Sequence, residues 1–395
     1  MKKIDLVILA GGKGTRIKKF LKDKPKPMMK FNNIYFLQYL INKFSKYPLN
    51  KIYILSGFKH NLIFNNFHNK ISNFIKIECI KEKNLMGTGG ALYNLKNKSI
   101  NDFILMNGDT IFDIDYKNFL KNIGQKELCH LALVKKEKNI NSNKLNNLSI
   151  KKNILFYNNK SNLINGGIYF FKKKILKFIP KKRCSLEDEI LPNLIKRKLV
   201  SGKLHEEFFL DIGTPKYLRI GSKKLKDEFY KPAVFLDRDG VINKDFGYVN
   251  KRKNFKFKKG VIKGLKYLIK KNYYIFVVTN QAGIAKGIFT LKDFFTLHLD
   301  IKSELAEKKI YFDDVKYSPF HPKGIIKKFR KKSNCRKPGN KMITDIFDKW
   351  LINKKKSFMI GDKLSDKKCA EKSKLFFAYS EKNFYVQIKK MIKLI

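Results

Sequence analysis

Two aspartates separated by one residue, Asp237 and Asp239, follow the apolar run Ala233–Leu236 and precede Gly240. Residues at i and i+2 of an extended strand point the same way, so both carboxylates would face one spot. Like charges that close disfavour each other's ionisation, and a divalent cation between them relieves the repulsion. Magnesium suits such a place, being a hard ion that takes carboxylate oxygens, water and a substrate phosphate. An Asp-x-Asp-Gly run is also a common turn, and this pattern alone leaves both readings standing. Further groups follow downstream. The β-rich run Ile275–Val278 ends in Thr279, Asn280 and Gln281, whose hydroxyl and amides suit phosphate oxygens. Arg336 and Lys337 precede Pro338, and Phe358–Ile360 runs into Gly361 and Asp362, with Asp366 beyond. Carboxylates, hydroxyl, lysine and carboxylate thus succeed one another, most of them at the ends of candidate strands.

Near the other terminus, the buried-type strand Ile4–Ala10 runs into Gly11-Gly12-Lys13-Gly14-Thr15-Arg16. Glycines after a strand let backbone N–H groups approach a phosphate, because no Cβ intervenes. By itself Gly-Gly-x-Gly could be any tight turn. Arg16 adds a planar fork for phosphate, and Lys26 lies between Pro25 and Pro27, which stiffen its backbone. No acidic residue follows about 20 residues on in a βαβ setting, which disfavours a dinucleotide-cofactor site. A second glycine-rich turn, Gly87-Thr88-Gly89, opens a helix after Glu82. Phe103–Met106 ends in Asn107-Gly108-Asp109, a carboxylate placed as a metal ligand would be, and Phe208–Leu210 leads into Asp211. Asp113 and Asp115 read as turn or helix-start residues. Ser185–Glu189 reads as an N-cap with an acidic first turn.

The C-terminal series resembles the haloacid dehalogenase superfamily of phosphatases. The runs DRDGVIN with DFGYV, TNQAGIAKG, CRKP and GDKLSD are similar to those of the D-glycero-D-manno-heptose 1,7-bisphosphate phosphatases, with the histidinol-phosphate phosphatases as close relatives. The likeness runs from Lys231 to the C-terminus. It implies that Asp237 is the nucleophile that forms an aspartyl-phosphate and that Asp239 is general acid, then base. Asp237, Asp362 and the backbone carbonyl of Asp239 would hold magnesium. Thr279 and Lys337 would stabilise the transferring phosphoryl group, Asn280 and Arg336 would bind substrate, the latter at its remote phosphate, and Asp366 would orient the lysine or the metal shell. The resembled phosphatases often carry a structural zinc on a Cys-x-His and a Cys-x-Cys pair. Here those positions read Ser318-Pro319-Phe320-His321 and Ser333-Asn334-Cys335. A structural zinc needs about four N/S ligands, so no zinc is expected.

LAGGKGTR followed by KPM resembles the sugar-1-phosphate nucleotidylyltransferases. By that resemblance Gly11, Gly12, Gly14 and Thr15 cradle the nucleotide, Arg16 holds the triphosphate and Lys26 braces the reacting phosphates. Gly87, Thr88 and Gly89 would line base and ribose, and Asp109 and Asp211 would share a second magnesium. Asn165 and Gly167 match the family's sugar-binding turn. Lys160 stands for its sugar-phosphate lysine, although Asn159 replaces the usual preceding Glu.

Together the two resemblances imply a bifunctional enzyme of nucleotide-sugar biosynthesis. The phosphatase would remove the 7-phosphate of D-glycero-D-manno-heptose 1,7-bisphosphate. The transferase would then move a nucleotidyl group, GMP from GTP by analogy with mannose-1-phosphate guanylyltransferases, onto heptose 1-phosphate and release pyrophosphate. The product would feed lipopolysaccharide, capsule or surface-layer glycans. Two alternatives stay open: a mannose- or glucose-1-phosphate transferase fused to a histidinol-phosphate-type phosphatase, and a basic nucleic-acid-binding protein on an enzyme scaffold. Channelling between the halves and self-association are left open too.

Positioning these groups takes two complete α/β units. A chain of 395 residues holds two or three domains at about 150 residues each. We expect two Rossmann-like three-layer domains: residues 1–225 with a mixed nucleotidylyltransferase sheet, and residues 231–395 with a parallel haloacid dehalogenase-like sheet. The linker is expected over 226–230, within the charged stretch Ser222–Tyr230. Lys138–Lys160 reads only as loop and short strands. Lys+Arg 87 against Asp+Glu 33 gives a formal charge of +54. The lysines are scattered from end to end among abundant Asn, Ile, Phe and Tyr, which reads as drift toward AT-rich codons rather than specific nucleic-acid recognition. The positive field still gathers sugar phosphates and nucleotides. The five isolated cysteines suit a reducing compartment. The apolar run after Met1-Lys2-Lys3 carries Asp5 and stops at Gly11, too short for a signal peptide, and no apolar stretch approaches the roughly 20 residues of a membrane span. The expected location is the cytoplasm.

Overall fold

The computed structural model describes residues 3–21, 23–121, 123–136 and 147–395. Part of the expected loop after Lys138 lies outside these residues. Among them, ten strands form a mixed sheet. Its centre is parallel: Asp102–Asn107, Ile4–Leu9, Lys51–Ser56 and Ile75–Lys81 lie side by side. Leu163–Phe171 then runs antiparallel between Asp102–Asn107 and Cys129–Lys135. Side chains alternate as a sheet covered on both faces requires. Leu6 and Ile8 enter one hydrophobic layer, Val7 the other. A five-stranded, all-parallel second sheet follows, in the order Asp314–Ser318, Tyr274–Asn280, Ala233–Leu236, Phe358–Gly361, Phe376–Tyr379. All of Ala233–Leu236 is buried, with Val234 and Leu236 facing one layer and Phe235 the other. Both sheets are α/β with mixed and parallel character as the sequence leads one to expect.

Two elements go beyond what the sequence reading specified. Phe209–Asp211 pairs with Thr110–Phe112 in a separate antiparallel ribbon outside the large sheet. The linker expected over 226–230 falls largely on the end of one helix, Pro215–Phe229, whose N-cap Thr214 accepts a bond from the Tyr217 N–H. About one buried position per turn anchors this helix: Tyr217 and Leu225 are buried, and Gly221 between them lets the Phe31 ring approach.

The glycine-rich turns and strand-end aspartates follow the C-terminal ends of parallel strands, where open α/β sheets bind ligands. The two halves meet elsewhere. From the first half come residues before the parallel strands: Asn42 donates to the Lys349 carbonyl at 2.6 Å, Tyr47 packs on Tyr311, and the Asn73 amide donates to the Phe312 carbonyl at 3.0 Å. From the second half, Lys302 of the helix Leu291–Glu307 donates to the carbonyls of Ser45 (2.5 Å) and Asn73 (3.2 Å). None of the helices among the described residues is long and apolar enough to cross a membrane.

Candidate active sites

In the second half, three strands deliver the chemistry. Ala233–Leu236 ends at Asp237, whose N–H donates to the Ile360 carbonyl. Tyr274–Asn280 ends with Thr279 and Asn280, and Phe358–Gly361 is followed by Asp362. A cavity lined by Asp237, Asp239, Thr279, Asn280, Arg336, Lys337 and Asp366 opens there. Lys337 is buried, and its ammonium lies 3.0 Å from Asp237 Oδ1 and 2.6 Å from Asp366 Oδ1 while donating to the Val278 carbonyl at 2.8 Å. The ammonium is thus held by one hydrogen bond and two ion pairs. Burial pulls the ammonium's pKa down, but the Asp237 and Asp366 carboxylates outweigh it and hold the value above the ordinary one. Burial pushes Asp237 up to about 6, with Lys337 opposing and Asp366 and Asp239 adding to the rise.

Asp237, Asp362 and Asp366 each bring a carboxylate oxygen within 4.8 Å of the others. One Asp366 oxygen pairs with the Lys337 ammonium by charge, without a hydrogen bond, and the other accepts from the N–H groups of Asp362 (3.2 Å) and Lys363 (3.0 Å). Asp362 Oδ1 is buried without a hydrogen-bond partner, and burial raises the pKa of its carboxyl. A buried, unpaired carboxylate oxygen is costly, and a hard cation would satisfy it. The donor set of Asp237 and Asp362 therefore fits magnesium. Gly240 sits at φ +79°, and a Cβ there would come within 2.4 Å of Asp362 Oδ2.

Asp239 is clamped rather than free. Both its oxygens accept from Arg238, and it also accepts from Asn243 (2.9 Å) and Gln281 (3.1 Å). Gln281 further donates to the Thr279 hydroxyl at 2.9 Å. The Asn280 carboxamide exchanges two hydrogen bonds with the backbone of Lys337, so it fixes the lysine's position. Arg336 lines the cavity and donates to the Phe320 carbonyl. Arg238 and Asn243 escape sequence reasoning as site residues, because only the folded geometry aims them at Asp239; Gln281, read as a phosphate-binding amide, instead holds Asp239 and Thr279.

In the first half, one cavity collects Gly11, Gly12, Gly14, Thr15, Lys26, Gly87, Thr88, Asp109 and Asp211. Gly11 has no room for a side chain: a Cβ would meet Glu82 Oε1 at 2.0 Å. Lys26 donates to Asp109 Oδ2 at 2.9 Å. Asp211 reaches Asp109 from the two-stranded ribbon, and the Ile212 N–H donates to the Asp109 carbonyl at 3.0 Å. A carbon placed on Gly213 would lie 2.9 Å from Asp211 Oδ1, 3.6 Å from Lys26 Nζ and 3.7 Å from Asp109 Oδ2. Two carboxylates and an ammonium thus converge, a donor set that fits a divalent cation once a phosphate engages the lysine. Glu82, Asn107, Arg183, Glu187 and Asp188 also line this cavity; Glu187 and Asp188 belong to the acidic helix start that the sequence marks only as a cap, and Glu82 and Arg183 carry no spacing that marks them. Ser185 caps the helix start, accepting from the Asp188 N–H at 3.1 Å, and Glu187 accepts from the Thr88 hydroxyl at 2.6 Å.

Other expected site residues lie apart. Gly89 is buried and donates to the Cys184 carbonyl. Asn165 is fully buried, with its amide bonded to the Tyr169 hydroxyl and its oxygen accepting from the Gly167 N–H. Lys160 is exposed in the turn between Ile154–Tyr157 and Leu163–Phe171. None of these lines the cavity. The Arg16 side chain lies outside the described residues.

Two phosphate-handling pockets on two α/β sheets define a two-domain enzyme, a nucleotidyltransferase followed by a haloacid dehalogenase-like phosphatase. A family model described as Nucleotidyl transferase matches residues 6–145, and one described as Polynucleotide kinase 3 phosphatase matches residues 234–391. A relative from Escherichia coli (strain K12), D-glycero-beta-D-manno-heptose-1,7-bisphosphate 7-phosphatase, is 44% identical over 139 residues, covering 35% of this chain and 73% of the relative. Its counterpart from Rhodopseudomonas palustris is 38% identical over 141 residues, 36% of this chain and 78% of the relative. Among solved structures, HddC from Yersinia pseudotuberculosis aligns at 28% identity and a TM-score of 0.47, covering 56% of this chain and all of that one. By its phosphatase half, the chain belongs to the D-glycero-β-D-manno-heptose-1,7-bisphosphate 7-phosphatase family.

Proposed function

We propose that the chain carries out two successive steps on one sugar. Residues 231–395 remove the 7-phosphate of D-glycero-D-manno-heptose 1,7-bisphosphate, and residues 1–225, joined through 226–230, convert the heptose 1-phosphate to a nucleotide sugar. The observation that carries the phosphatase reading is the buried Asp237–Lys337–Asp366 bridge beside the unpaired Asp362 oxygen. Asp237 attacks phosphorus while Asp239 gives a proton to the leaving sugar oxygen. Asp239 then takes a proton from the water that splits the aspartyl-phosphate and frees inorganic phosphate. Lys337 neutralises charge on the transferring group, Thr279 orients an equatorial oxygen, and Arg336 faces the remote phosphate. Magnesium held by Asp237, Asp362 and the Asp239 carbonyl would supply further charge neutralisation.

In the transferase, a phosphate oxygen of heptose 1-phosphate attacks the α-phosphorus of the nucleoside triphosphate and pyrophosphate leaves. Gly11, Gly12, Gly14 and Thr15 cradle the phosphates, and Arg16 and Lys26 balance their charge, with Asp109 and Asp211 holding magnesium. Gly87 and Thr88 face the nucleoside, with Gly89 supporting the turn. The fully buried Asn165 shapes the turn at Gly167 rather than touching the sugar, and Lys160 is exposed outside the cavity. GTP is the nucleotide we infer by analogy within heptose pathways, and we place both reactions in the cytoplasm. The test offers purified protein heptose 1,7-bisphosphate and magnesium with each of the four nucleoside triphosphates. We expect phosphate release followed by one nucleotide heptose, formed with GTP. Preference for histidinol phosphate over the heptose bisphosphate overturns the reading.

A further inference from the structure

The transferase half sends one hairpin tip into the phosphatase half. Ile71–Ser72 pairs with Ile75–Lys81, and the tip residues Asn73 and Phe74 both adopt left-handed backbone, at φ 44° and 68°. For phenylalanine that conformation is strained, and it persists only where surrounding structure enforces it. The surroundings belong to the other half of the chain. Asn73 is buried, donates to the Phe312 carbonyl and accepts from Lys302. Phe74 packs against the phosphatase core. Its ring stacks on His298 at 4.8 Å and meets Phe294 and Phe295 edge-on at 5.8 and 5.2 Å.

These contacts lead to the phosphatase centre. His298 is buried, and burial together with the Arg238 charge holds its pKa well below the ordinary value, which keeps the ring neutral beside the guanidinium. Arg238 Nη1 faces His298 Nε2 at 3.5 Å, and its guanidinium lies over the Phe294 ring at 5.7 Å. The same buried guanidinium donates to the Val249 carbonyl at 2.7 Å and grips both oxygens of Asp239 at 2.8 and 3.0 Å. One continuous set of contacts therefore runs from a transferase side chain, through His298 and Arg238, to the group that handles the proton.

We propose that Phe74 is a positioning residue of the phosphatase: by wedging His298 and Phe294 it fixes the Arg238 fork that holds Asp239. This rests on Asp239 being the proton-transfer group. A fork that tilts lets the carboxylate drift, and small displacements of a reacting group are costly. It also gives a physical reason for the fusion, since the phosphatase is completed by its neighbour.

The experiment uses the full chain and heptose 1,7-bisphosphate. Phe74→Gly suits the left-handed backbone and deletes the ring, Phe74→Tyr keeps the ring, and Arg238→Lys breaks the fork. We expect Phe74→Gly to lower kcat for phosphate release about tenfold with KM moving less than about twofold. Phe74→Tyr should restore it, and Phe74→Gly should add little in the Arg238→Lys background, because coupled residues are not additive. Transferase activity in the same variant should stay at the wild-type level. Unchanged phosphatase kcat in Phe74→Gly, additive loss with Arg238→Lys, or parallel loss of both activities overturns the proposal. Asp239→Asn is assayed alongside: phosphate release at the wild-type rate in that variant removes Asp239 from the mechanism, and the proposal with it.

Discussion

Asp362 and Asp366 stand four residues apart beside Asp237, yet their environments assign them different work. Both carboxylates keep a buried Oδ1 without a hydrogen bond. That of Asp366 faces the Lys337 ammonium at 2.6 Å while its other oxygen accepts from two backbone N–H groups, whereas Asp362 Oδ1 faces neither a hydrogen-bond donor nor an ion-pair partner. A committed carboxylate orients, and an uncommitted one binds. Asp362→Asn should therefore raise the magnesium concentration needed for half-maximal phosphate release about tenfold to a hundredfold, while Asp366→Asn lowers kcat by a similar factor and leaves the magnesium requirement near its original value. Titrating phosphate release with magnesium in each variant separates the two. A raised magnesium requirement in Asp366→Asn would make it a ligand. What could be read in sequence here is the set of groups at strand ends, because apolar runs locate strands and the i, i+2 spacing locates the paired carboxylates. Arg238, Asn243 and Glu82 could not be read, since a buried polar side chain finds its partner only across the folded sheet.

At the scale of elements, the helix Leu291–Glu307 does two tasks at the seam. His298 faces the phosphatase site, and Lys302, one turn further on the same side, bonds the Ser45 and Asn73 carbonyls of the transferase half. Burial lowers the Lys302 pKa from 10.5 to about 7, with Asp314 opposing. A depressed lysine binds its proton less well folded than unfolded, so stability is lost as pH falls from 10.5 toward 7 and the penalty is complete below that. Lys302→Met removes this penalty. Its stability relative to wild type, measured by urea unfolding of the full chain, should be greatest at pH 7 and below and should shrink by several kcal/mol on approaching pH 10, at roughly 1.4 kcal/mol per pKa unit. A difference that ignores pH would mean the two carbonyls keep the ammonium charged. The helix Pro215–Phe229 carries the complementary lesson about legibility. Its charged end from Ser222 on carries too few apolar residues to announce a helix, and it continues the turn-by-turn burial of Tyr217, Gly221 and Leu225. The hairpin at Asn73 was equally silent, because its left-handed turn is enforced by residues more than two hundred positions away.

For the whole molecule, the arrangement of the halves bears on how the intermediate travels. The transferase pocket lies beyond the C-terminal ends of its parallel strands, at Gly11, Glu82 and Asp109. The phosphatase is attached at their N-terminal ends, through Asn42, Tyr47 and Asn73. Strand Ile75–Lys81 spans the distance, with the hairpin tip at one end and Glu82 at the other; its seven residues amount to about 23 Å at roughly 3.3 Å each. The body of the transferase sheet thus stands between its own pocket and the phosphatase, and the two cavities share no lining residue. A sugar phosphate released by one site must cross open solvent to reach the other, aided only by the positive field of a chain with net charge +54. Full-length Asp237→Asn, defective in the phosphatase, and full-length Asp109→Asn, defective in the transferase, should then complement each other in trans. Mixed so that each active site matches its concentration in a wild-type sample, they should form the nucleotide sugar with the same lag and final rate, within about twofold for a freely diffusing intermediate. A wild-type sample that shows no lag while the mixture does would require direct hand-over, which this placement of the pockets opposes. The same mixture retains Phe74 in every chain, so its outcome reports on transfer of the intermediate and not on support of the phosphatase by the hairpin.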